Sequence, residues 1–307
     1  MNWEPRLHQI VKDDRLKQEL HEAGYATYGN IGQEKITKLL QLYQELHRLN
    51  APQGGNFYSL YSDDLDYRKK VHDTIGHILY PVYDSLFENY KSVINSFIIK
   101  VPGPQSEFTL HQDSSGLDEL TYSSLSLWIP LQDTDLNNGT LCVVPKSHRF
   151  FYPYRGISFA SPFATYEDLM RTYLYPVQLK AGDLFMFDNR LVHYSHLNKS
   201  TANRVVVMSG LFPQPAGIEC CYKDESVPDS PIEIYSQSED FLLTNTAFFN
   251  DCTARPVRGE VVRKISPLPV KSKYDWMSFA AANEVPQTFI EELIQVGHTM
   301  NIVSEPV

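Results

Sequence analysis

Between about residues 92 and 211 the chain is a series of short apolar segments separated by turn residues. The first segment is rich in β-branched and aromatic residues and stops at Pro102, Gly103 and Pro104, as expected of a β-strand that ends in a turn. Short strands repeated in this way are typical of a double-sheet jelly roll. We therefore predict a mainly β fold with flanking helices, whose core is a double-stranded β-helix (jelly-roll, cupin-like). The predicted strands are residues 93–101, 125–131, 141–144, 177–179, 184–187 and 205–211.

Two helical stretches precede these strands, and we expect both to pack outside the sheet as scaffold. The first covers residues 34–50 and the second about residues 66–90, where Pro81 is expected to kink or divide the helix. A third apolar stripe near residue 290 could pack on the scaffold or mediate a homodimer. The first stripe consists of Ile36, Leu39, Leu40, Tyr43 and Leu46, and the third of Phe289, Ile290, Leu293 and Val296.

Four polar side chains stand on or beside the predicted strands. His111 and Asp113 are two positions apart, so on an extended strand both would project to the same side. His193 ends a later apolar segment, and Arg204 stands near the start of another. Two histidines and a carboxylate can occupy one face of a metal ion and leave positions open for a chelating co-substrate and dioxygen, as in non-haem Fe(II) oxygenases. The guanidinium could grip a carboxylate through two parallel hydrogen bonds.

Each of these residues also has a common structural explanation. A His-x-Asp triplet is expected by chance in a chain with ten histidines, and a histidine at a strand end is more often structural than a ligand. Arg204 alone would more often form a surface ion pair, which contributes little to stability. The hypothesis of a metal site therefore rests on the conjunction of all four residues.

The segments around these residues form two ordered blocks. The first runs from Leu110-His-Gln-Asp113 through Leu127-Trp-Ile-Pro-Leu-Gln-Asp133 to Asn138-Gly-Thr-Leu-Cys-Val-Val-Pro-Lys-Ser-His148. The second holds Gly182-Asp-Leu-Phe-Met-Phe, Leu191-Val-His193-Tyr-Ser195, Asn198-Lys-Ser200 and Asn203-Arg204. In order, spacing and flanking residues, both blocks resemble the phytanoyl-CoA hydroxylase (PhyH) family of 2-oxoglutarate dioxygenases, over about residues 17–212.

The resemblance implies a role for each matching residue. His111, Asp113 and His193 would ligate Fe(II), and Arg204 with Ser195 would hold the distal carboxylate of the co-substrate 2-oxoglutarate. Trp128 stands where the family places an aromatic residue against the co-substrate. The implied reaction is hydroxylation of an unactivated C–H bond of a small organic molecule by dioxygen, with succinate and CO2 as co-products.

Four further residues in or near the two blocks have interpretations of their own. Lys146 replaces the glycine that the family usually has before the Ser-His pair, which affects only the local loop geometry. His196 competes with His193 as a ligand, but the family pattern favours His193 and leaves His196 as a neighbour of the site or of the substrate. His148 is interpreted as structural, and Lys100 as a weak candidate for the co-substrate pocket because a strand lysine is usually exposed.

The domain organisation is predicted to be a single catalytic domain over residues 1–307, with its core at about 17–212. Residues 149–175 lie between the two blocks and contain many tyrosines and phenylalanines. We expect them to form either a lid over the substrate or an aromatic satellite core. Residues 213–307 are a C-terminal extension expected to cover the barrel or to mediate oligomerisation.

Composition narrows the classes of partner. The formal charge is −10 at pH 7, with a pI near 5.5, which opposes binding to nucleic acid and weakly disfavours a coenzyme A thioester or an acidic carrier as substrate. No stretch approaches the length of a membrane helix, and we expect no secretory signal in the first residues. The cysteines form no Cys-x-x-Cys pair, so free thiols and a cytoplasmic location are expected. They are Cys142, Cys220, Cys221 and Cys252.

Two other classes of function compete with the oxygenase. A metal-dependent hydrolase or isomerase on a cupin-like barrel would use Zn²⁺ or Mn²⁺ as a Lewis acid and would not require Arg204 or Ser195. A non-catalytic binding or sensor protein could keep the same fold, although the intact ligand set argues against it. Within the oxygenases, the presence of Asp113 favours hydroxylation over halogenation, while desaturation, cyclisation and epimerisation stay open.

Overall fold

The computed structural model describes residues 9–47, 54–149, 152–159, 167–245, 255, 259–266, 291 and 295. The named elements of this part are five α-helices, three short 3₁₀ helices and thirteen strands. The α-helices are α1 (Asp14–Ala23), α2 (Gln33–His47), α3 (Leu65–Leu86), α4 (Glu167–Arg171) and α5 (Phe241–Thr244). The strands are β1 (Tyr25–Asn30), β2 (Asn56–Tyr58), β3 (Tyr90–Lys100), β4 (Phe108–His111), β5 (Leu125–Pro130), β6 (Leu141–Val143), β7 (Tyr175–Pro176), β8 (Asp183–Asp188), β9 (His193–Ser195), β10 (Arg204–Pro213), β11 (Ile218–Tyr222), β12 (Ile232–Gln237) and β13 (Glu260–Ile265).

Three antiparallel sheets make up the fold. A six-stranded sheet has the order β1-β8-β5-β10-β3-β2, and a four-stranded sheet has the order β4-β9-β6-β7. The crossovers in chain order between these two sheets are those of a jelly roll. A third sheet, β11-β12-β13, follows them in the chain. The predicted mainly β fold with a double-sheet core is confirmed.

Side chains along the central strands point alternately into two hydrophobic clusters, one on each face of the six-stranded sheet. On β5, Leu125, Leu127 and Ile129 face the helices, while Trp128 joins the cluster inside the jelly roll. The same period of two occurs on β8 and β10, as expected for strands with a different environment on each face. The helices therefore cover the outside of the six-stranded sheet, and its other face is left to line the interior.

The predicted scaffold helices are present, with different details. In α2, Ile36, Leu39 and Leu42 are buried, and residues 48–50 lie outside the described part. The helix α3 is neither divided nor ended by Pro81, which is exposed together with His77. Because the carbonyl that loses its helical partner at a proline is that of the residue four positions before it, water can reach the His77 carbonyl. The C-terminal stripe near residue 290 lies outside the described residues.

The strand predicted over residues 177–179 is misplaced. Tyr175 and Pro176 pair with β6, and the Val177 N–H donates to the Leu141 carbonyl at 2.8 Å, while Leu179 forms an isolated bridge with Thr134. Proline cannot donate to a ladder, so Pro176 weakens this edge of the sheet. Val177 and Leu179 are nevertheless buried in the interior cluster.

Residues after β10 close one end of the jelly roll. A hydrophobic cluster joins Val93 and Ile94 of β3 and Phe212 of β10 to Cys220 of β11 and Phe241 of α5. The described residues of β11, β12 and α5 are thus packed on the strands that line the interior. Among the described helices, none is both long and apolar enough to cross a lipid bilayer.

Candidate active site

Two histidines and one aspartate meet at the edge between β4 and β9. His111 and His193 are direct partners in the β4–β9 ladder. Asp113 Oδ1 lies 3.7 Å from His111 Nε2 and 3.8 Å from His193 Nε2, and one donor atom of each residue lies within 4.8 Å of the others. A single ion could contact all three side chains.

The expected strand geometry of the His-x-Asp triplet needs a correction. The strand β4 ends at His111, so Asp113 is not part of it. Asp113 is instead held from the loop after β8, because its backbone N–H donates to the carbonyl of Asn189 at 3.1 Å. The side chain of Gln112, which points away from the triplet, donates to the carbonyl of Arg190. The convergence therefore depends on loop contacts in addition to strand alternation.

Backbone carbonyls fix the imidazole orientation. Nδ1 of His111 lies 2.8 Å from the carbonyl oxygen of Thr109, and Nδ1 of His193 lies 2.9 Å from that of Leu191. Because a carbonyl only accepts, each Nδ1 carries the proton in these contacts, and each Nε2 keeps its lone pair toward Asp113. Proteins usually orient a metal-binding histidine by such a hydrogen bond from the ring nitrogen that does not bind the metal.

The charge states of His193 and Asp113 suit a cation. Burial, together with the neighbouring His111, lowers the pKa of His193 to about 4. Burial alone would raise the pKa of Asp113, but His193 and His111 outweigh it and lower this pKa to about 2. At neutral pH the site therefore presents a neutral imidazole at position 193 and a carboxylate at position 113, both in the form that binds metals.

A buried ion pair supports the loop that carries Asp113. Arg155 contacts both carboxylate oxygens of Glu119, at 2.6 and 2.8 Å. Its Nε also donates to the backbone carbonyl of Asp113 at 2.8 Å, and burial raises the pKa of Glu119 against the opposing effect of Arg155. The sequence indicates neither role, because no local pattern connects Arg155 with Glu119.

The residues predicted to hold the co-substrate lie on the inner face of the jelly roll. Arg204 is 3% exposed, its Nη1 donates to the Gly139 carbonyl, and its guanidinium carbon lies 5.2 Å from the centre of the Trp128 ring. Its Nε is buried without a hydrogen-bond partner in the described part of the chain. Ser195 is buried on β9, two residues after His193. Burial lowers the pKa of Arg204 to about 10.

Lys100 is buried, contrary to the expectation of an exposed strand lysine. It has 0% exposure, and its ammonium donates to the carbonyls of Ser106, His196 and, at 3.5 Å, Ser195. Lys100 is the last residue of β3, and the chain that follows bridges at Gly103 to Asn198, beyond the end of β9. Local sequence could not show this, because alternation alone does not tell which face of β3 is covered.

Among the described histidines, His196 and His148 do not join the metal-binding group. His196 is exposed, with Nδ1 3.3 Å from the Tyr194 hydroxyl. The Nε2 of His148 lies 3.1 Å from the carbonyl oxygen of His21, so this residue pins its loop to α1. Lys146 has a φ of 71°, a conformation that glycine adopts without strain, which explains why a glycine suits this position.

One cavity of about 720 Å³ connects these features. It is lined by the two histidines and the aspartate, and by Arg204, Trp128 and Ser195. The described part of the segment 149–175 also lines it, through residues that include Arg155, Ile157 and Phe159. The donor set, with its free Nε2 atoms, fits a mononuclear non-haem iron. The buried, unpaired guanidinium nitrogen fits an organic carboxylate.

Comparison with known proteins places the chain in a family. The sequence profile of the phytanoyl-CoA dioxygenase (PhyH) family matches residues 20–206. The chain belongs to the phytanoyl-CoA dioxygenase family. Its site has the donor set of an iron- and 2-oxoglutarate-dependent oxygenase, and the resemblance inferred from the two sequence blocks is confirmed.

Individual relatives match over part of their length. A phytanoyl-CoA dioxygenase of Arabidopsis thaliana is 31% identical over 153 residues, covering 42% of this chain and 53% of that protein. A phytanoyl-CoA dioxygenase domain-containing protein 1 homolog of Dictyostelium discoideum is 26% identical, covering 46% of this chain and 51% of that protein. The chain thus spans about half the length of these curated relatives.

A solved structure shares the fold. The non-haem α-ketoglutarate-dependent carbocyclase SnoK from nogalamycin biosynthesis superposes with a TM-score of 0.50 at 17% sequence identity. The match covers 67% of this chain and 86% of that one. At this identity the likeness concerns the fold, in agreement with the double-sheet core described above.

Proposed function

We propose that this protein is an Fe(II)- and 2-oxoglutarate-dependent dioxygenase that hydroxylates an unactivated C–H bond of a small organic molecule. The observation that carries the proposal is the convergence of His111, Asp113 and His193 in one cavity. The same cavity contains the buried Arg204, which forms no ion pair with a described carboxylate. The first three would hold the iron and the fourth the far end of 2-oxoglutarate.

With iron and 2-oxoglutarate bound, the site would supply the oxidising chemistry: the keto acid and dioxygen give succinate and CO2, and the second oxygen atom converts a C–H bond into an alcohol. The residues of the chain bind and position the reactants. The Thr109 and Leu191 carbonyls keep the two Nε2 atoms directed at the ion. Asn189 and Arg155 hold the backbone of Asp113 from two sides.

Arg204 would bind the distal carboxylate of 2-oxoglutarate through its free Nε and neighbouring N–H groups. The Trp128 ring lies near the Arg204 guanidinium and restricts the plane in which the guanidinium N–H groups can lie. Ser195 lines the same cavity and would add its hydroxyl. Such charge-assisted contacts in a site shielded from water are stronger than neutral hydrogen bonds.

The remaining cavity wall supports a substrate with an apolar body. Its described lining away from Arg204 includes Leu60, Val93, Ile94, Met208 and Phe212. The charged side chains there are already in ion pairs: Arg155 with Glu119, Glu167 with Arg171, and Glu219 with Arg263. An apolar wall of this kind excludes water from the oxidising centre and orients a C–H bond through shape.

The metal-dependent hydrolase or isomerase is the second candidate, and Arg204 separates it from the oxygenase. Lewis-acid chemistry at the three ligands has no use for a buried guanidinium without a carboxylate partner. Coupled turnover decides between them: with Fe(II), 2-oxoglutarate, dioxygen and a panel of small apolar molecules, the oxygenase releases succinate in proportion to an oxidised product. A product formed without succinate, or with Zn²⁺ alone, would establish the second candidate.

Mass analysis of the same product separates the possible outcomes. Hydroxylation adds one oxygen atom, desaturation or cyclisation removes two hydrogens, and epimerisation leaves the mass unchanged. In Arg204→Ala we expect coupled turnover to persist at high 2-oxoglutarate concentration with a raised KM for this co-substrate. Unchanged KM in that variant would contradict the assigned role of Arg204.

We further propose that residues 1–307 form one catalytic domain, that the segment around residues 149–175 contributes to a substrate lid, and that the enzyme acts in the cytoplasm. Cys142, Cys220 and Cys221 are buried with free thiols, which suits a reducing compartment. Cell fractionation would test the location. Sedimentation of the purified protein would show whether it is a monomer or a homodimer.

A further inference from the structure

Two buried cationic residues are paired beside the end of the cavity proposed for the co-substrate, and one of them, Arg204, lines it. Lys100 and Arg204 are direct partners in the antiparallel ladder of β3 and β10, so their side chains share a face of the sheet. Lys100 is 0% and Arg204 is 3% exposed. Like charges in directly opposite positions are destabilising, and burial makes them more so.

Gly139 brings the two side chains to one place. The Arg204 guanidinium donates to the Gly139 carbonyl, and a Cβ atom built on Gly139 would lie 2.7 Å from Cδ of Lys100. The Lys100 ammonium is also 3.5 Å from the Ser195 carbonyl oxygen. Lys100 is therefore packed directly behind the residues that would receive the distal carboxylate.

No carboxylate of the described chain compensates both charges. Neither side chain forms an ion pair with a described residue. The carboxylate that raises the pKa of Lys100 is that of Glu107. Glu107 is exposed to solvent and accepts a hydrogen bond from the Tyr194 hydroxyl. Burial and the neighbouring Arg204 lower the pKa of Lys100 to about 7. An anion bound at Arg204 would relieve this repulsion and favour the protonated ammonium.

We propose that Lys100 is a positioning residue for 2-oxoglutarate: with Arg204 it forms a two-cation anchor that selects a keto acid with a distal carboxylate. The inference rests on the proposed function of the site. Lys100 acts on the co-substrate through its charge and through the Ser195 and His196 carbonyls that it holds. Direct contact with the carboxylate belongs to Arg204.

The selectivity between two keto acids tests this role. Binding of 2-oxoglutarate and of 2-oxopentanoate, which lacks the distal carboxylate, is measured by anaerobic calorimetry and absorption on the Fe(II)-loaded protein at slightly acidic pH. In Lys100→Met we expect the affinity for 2-oxoglutarate to fall on the order of tenfold, while that for 2-oxopentanoate is unchanged. Lys100→Arg should restore the preference, and the exposed Lys199→Met, the same charge change at the surface, should leave it intact.

A second variant covers the case in which Lys100→Met does not fold. In Arg204→Met the remaining ammonium should still give a residual preference for 2-oxoglutarate over 2-oxopentanoate. Complete loss of the preference in Arg204→Met, or equal losses of both keto acids in Lys100→Met, would overturn the two-cation anchor and leave the proposed function standing. Wild-type protein that binds neither keto acid with iron would overturn both.

Discussion

Burial changes the chemistry of single side chains throughout the cavity. The amine of Lys100 and the imidazole of His193 both lose water on folding, and their pKa values fall to about 7 and about 4. For His193 this keeps the ring neutral and available to a metal. For Lys100 it places a proton equilibrium near physiological pH, next to the proposed site for the distal carboxylate of 2-oxoglutarate.

The stability of the metal-free protein should therefore depend on pH through Lys100. Its folded pKa, about 7, lies below the ordinary value of 10.5, so between these values the unfolded chain binds more protons and stability rises with pH. Relative to Lys100→Met, we expect the free energy of unfolding of the wild type to increase by up to about 1.4 kcal/mol per pH unit in this window. Denaturant titrations at several pH values measure it. Parallel pH profiles of the two proteins would exclude the effect.

Single residues were predictable from sequence where their spacing carried the signal. His111, Asp113, His193 and Arg204 stood out together because strand alternation and family order both marked them. Lys100 could not be judged, because its burial depends on which part of the chain crosses over the end of β3. The Arg155–Glu119 pair joins positions that share no periodic pattern.

At the scale of elements, the site depends on how loops are tied to strands. The strand β4 ends before Asp113, and the carbonyls of residues after β8 hold both Asp113 and Gln112. On the other side, the segment 152–159 is tied to the same loop by Arg155 and by Ser115, whose hydroxyl donates to the Pro153 carbonyl. The order of the sequence blocks marked the two histidines. Their pairing across β4 and β9 and these ties between irregular segments follow from no periodic pattern.

Arg155→Met should affect stability and metal binding together. Leaving Glu119 buried and unpaired costs about 3–5 kcal/mol of unfolding free energy, and loss of the bond to the Asp113 carbonyl should weaken metal affinity about 10- to 100-fold. The matched control, Arg171→Met, breaks the more exposed pair with Glu167 and should cost at most about 1 kcal/mol. Denaturant unfolding and metal titration measure both effects.

A double variant separates the two contributions of Arg155. Arg155→Met with Glu119→Leu removes both buried charges, so we expect much of the stability to return. Metal affinity should stay low, because the hydrogen bond to the Asp113 carbonyl is still missing. Recovery of metal affinity along with stability would contradict a direct role of Arg155 in holding Asp113.

At the scale of the whole molecule, one cavity lies between the two sheets of the jelly roll and the segments that follow it. The cluster of Val93, Ile94 and Phe212 with Cys220 and Phe241 connects the catalytic strands to the third sheet. This packing supports the proposal of a single domain, and we expect one cooperative unfolding transition monitored by fluorescence and circular dichroism. Two separated transitions would indicate that the C-terminal sheet folds independently.

The fold class and the family could be read from sequence, since short strands and ordered motifs extend over the whole core. The identity of the substrate could not, because it is set by side chains such as Ile157, Met208 and Phe212, which come from distant segments and meet only in the cavity. Shape, rather than a motif, determines what such a wall accepts.

Anaerobic titration of the metal-free protein with Fe(II) and then 2-oxoglutarate tests the central claim most directly. We predict one iron per chain and a weak metal-to-ligand charge-transfer absorption band that appears with 2-oxoglutarate. The band should be lost in Asp113→Ala and His193→Ala and retained in His196→Ala. A band of full intensity in Asp113→Ala, or no band in the wild type, would contradict the assignment of His111, Asp113 and His193 as the ligands of a single iron.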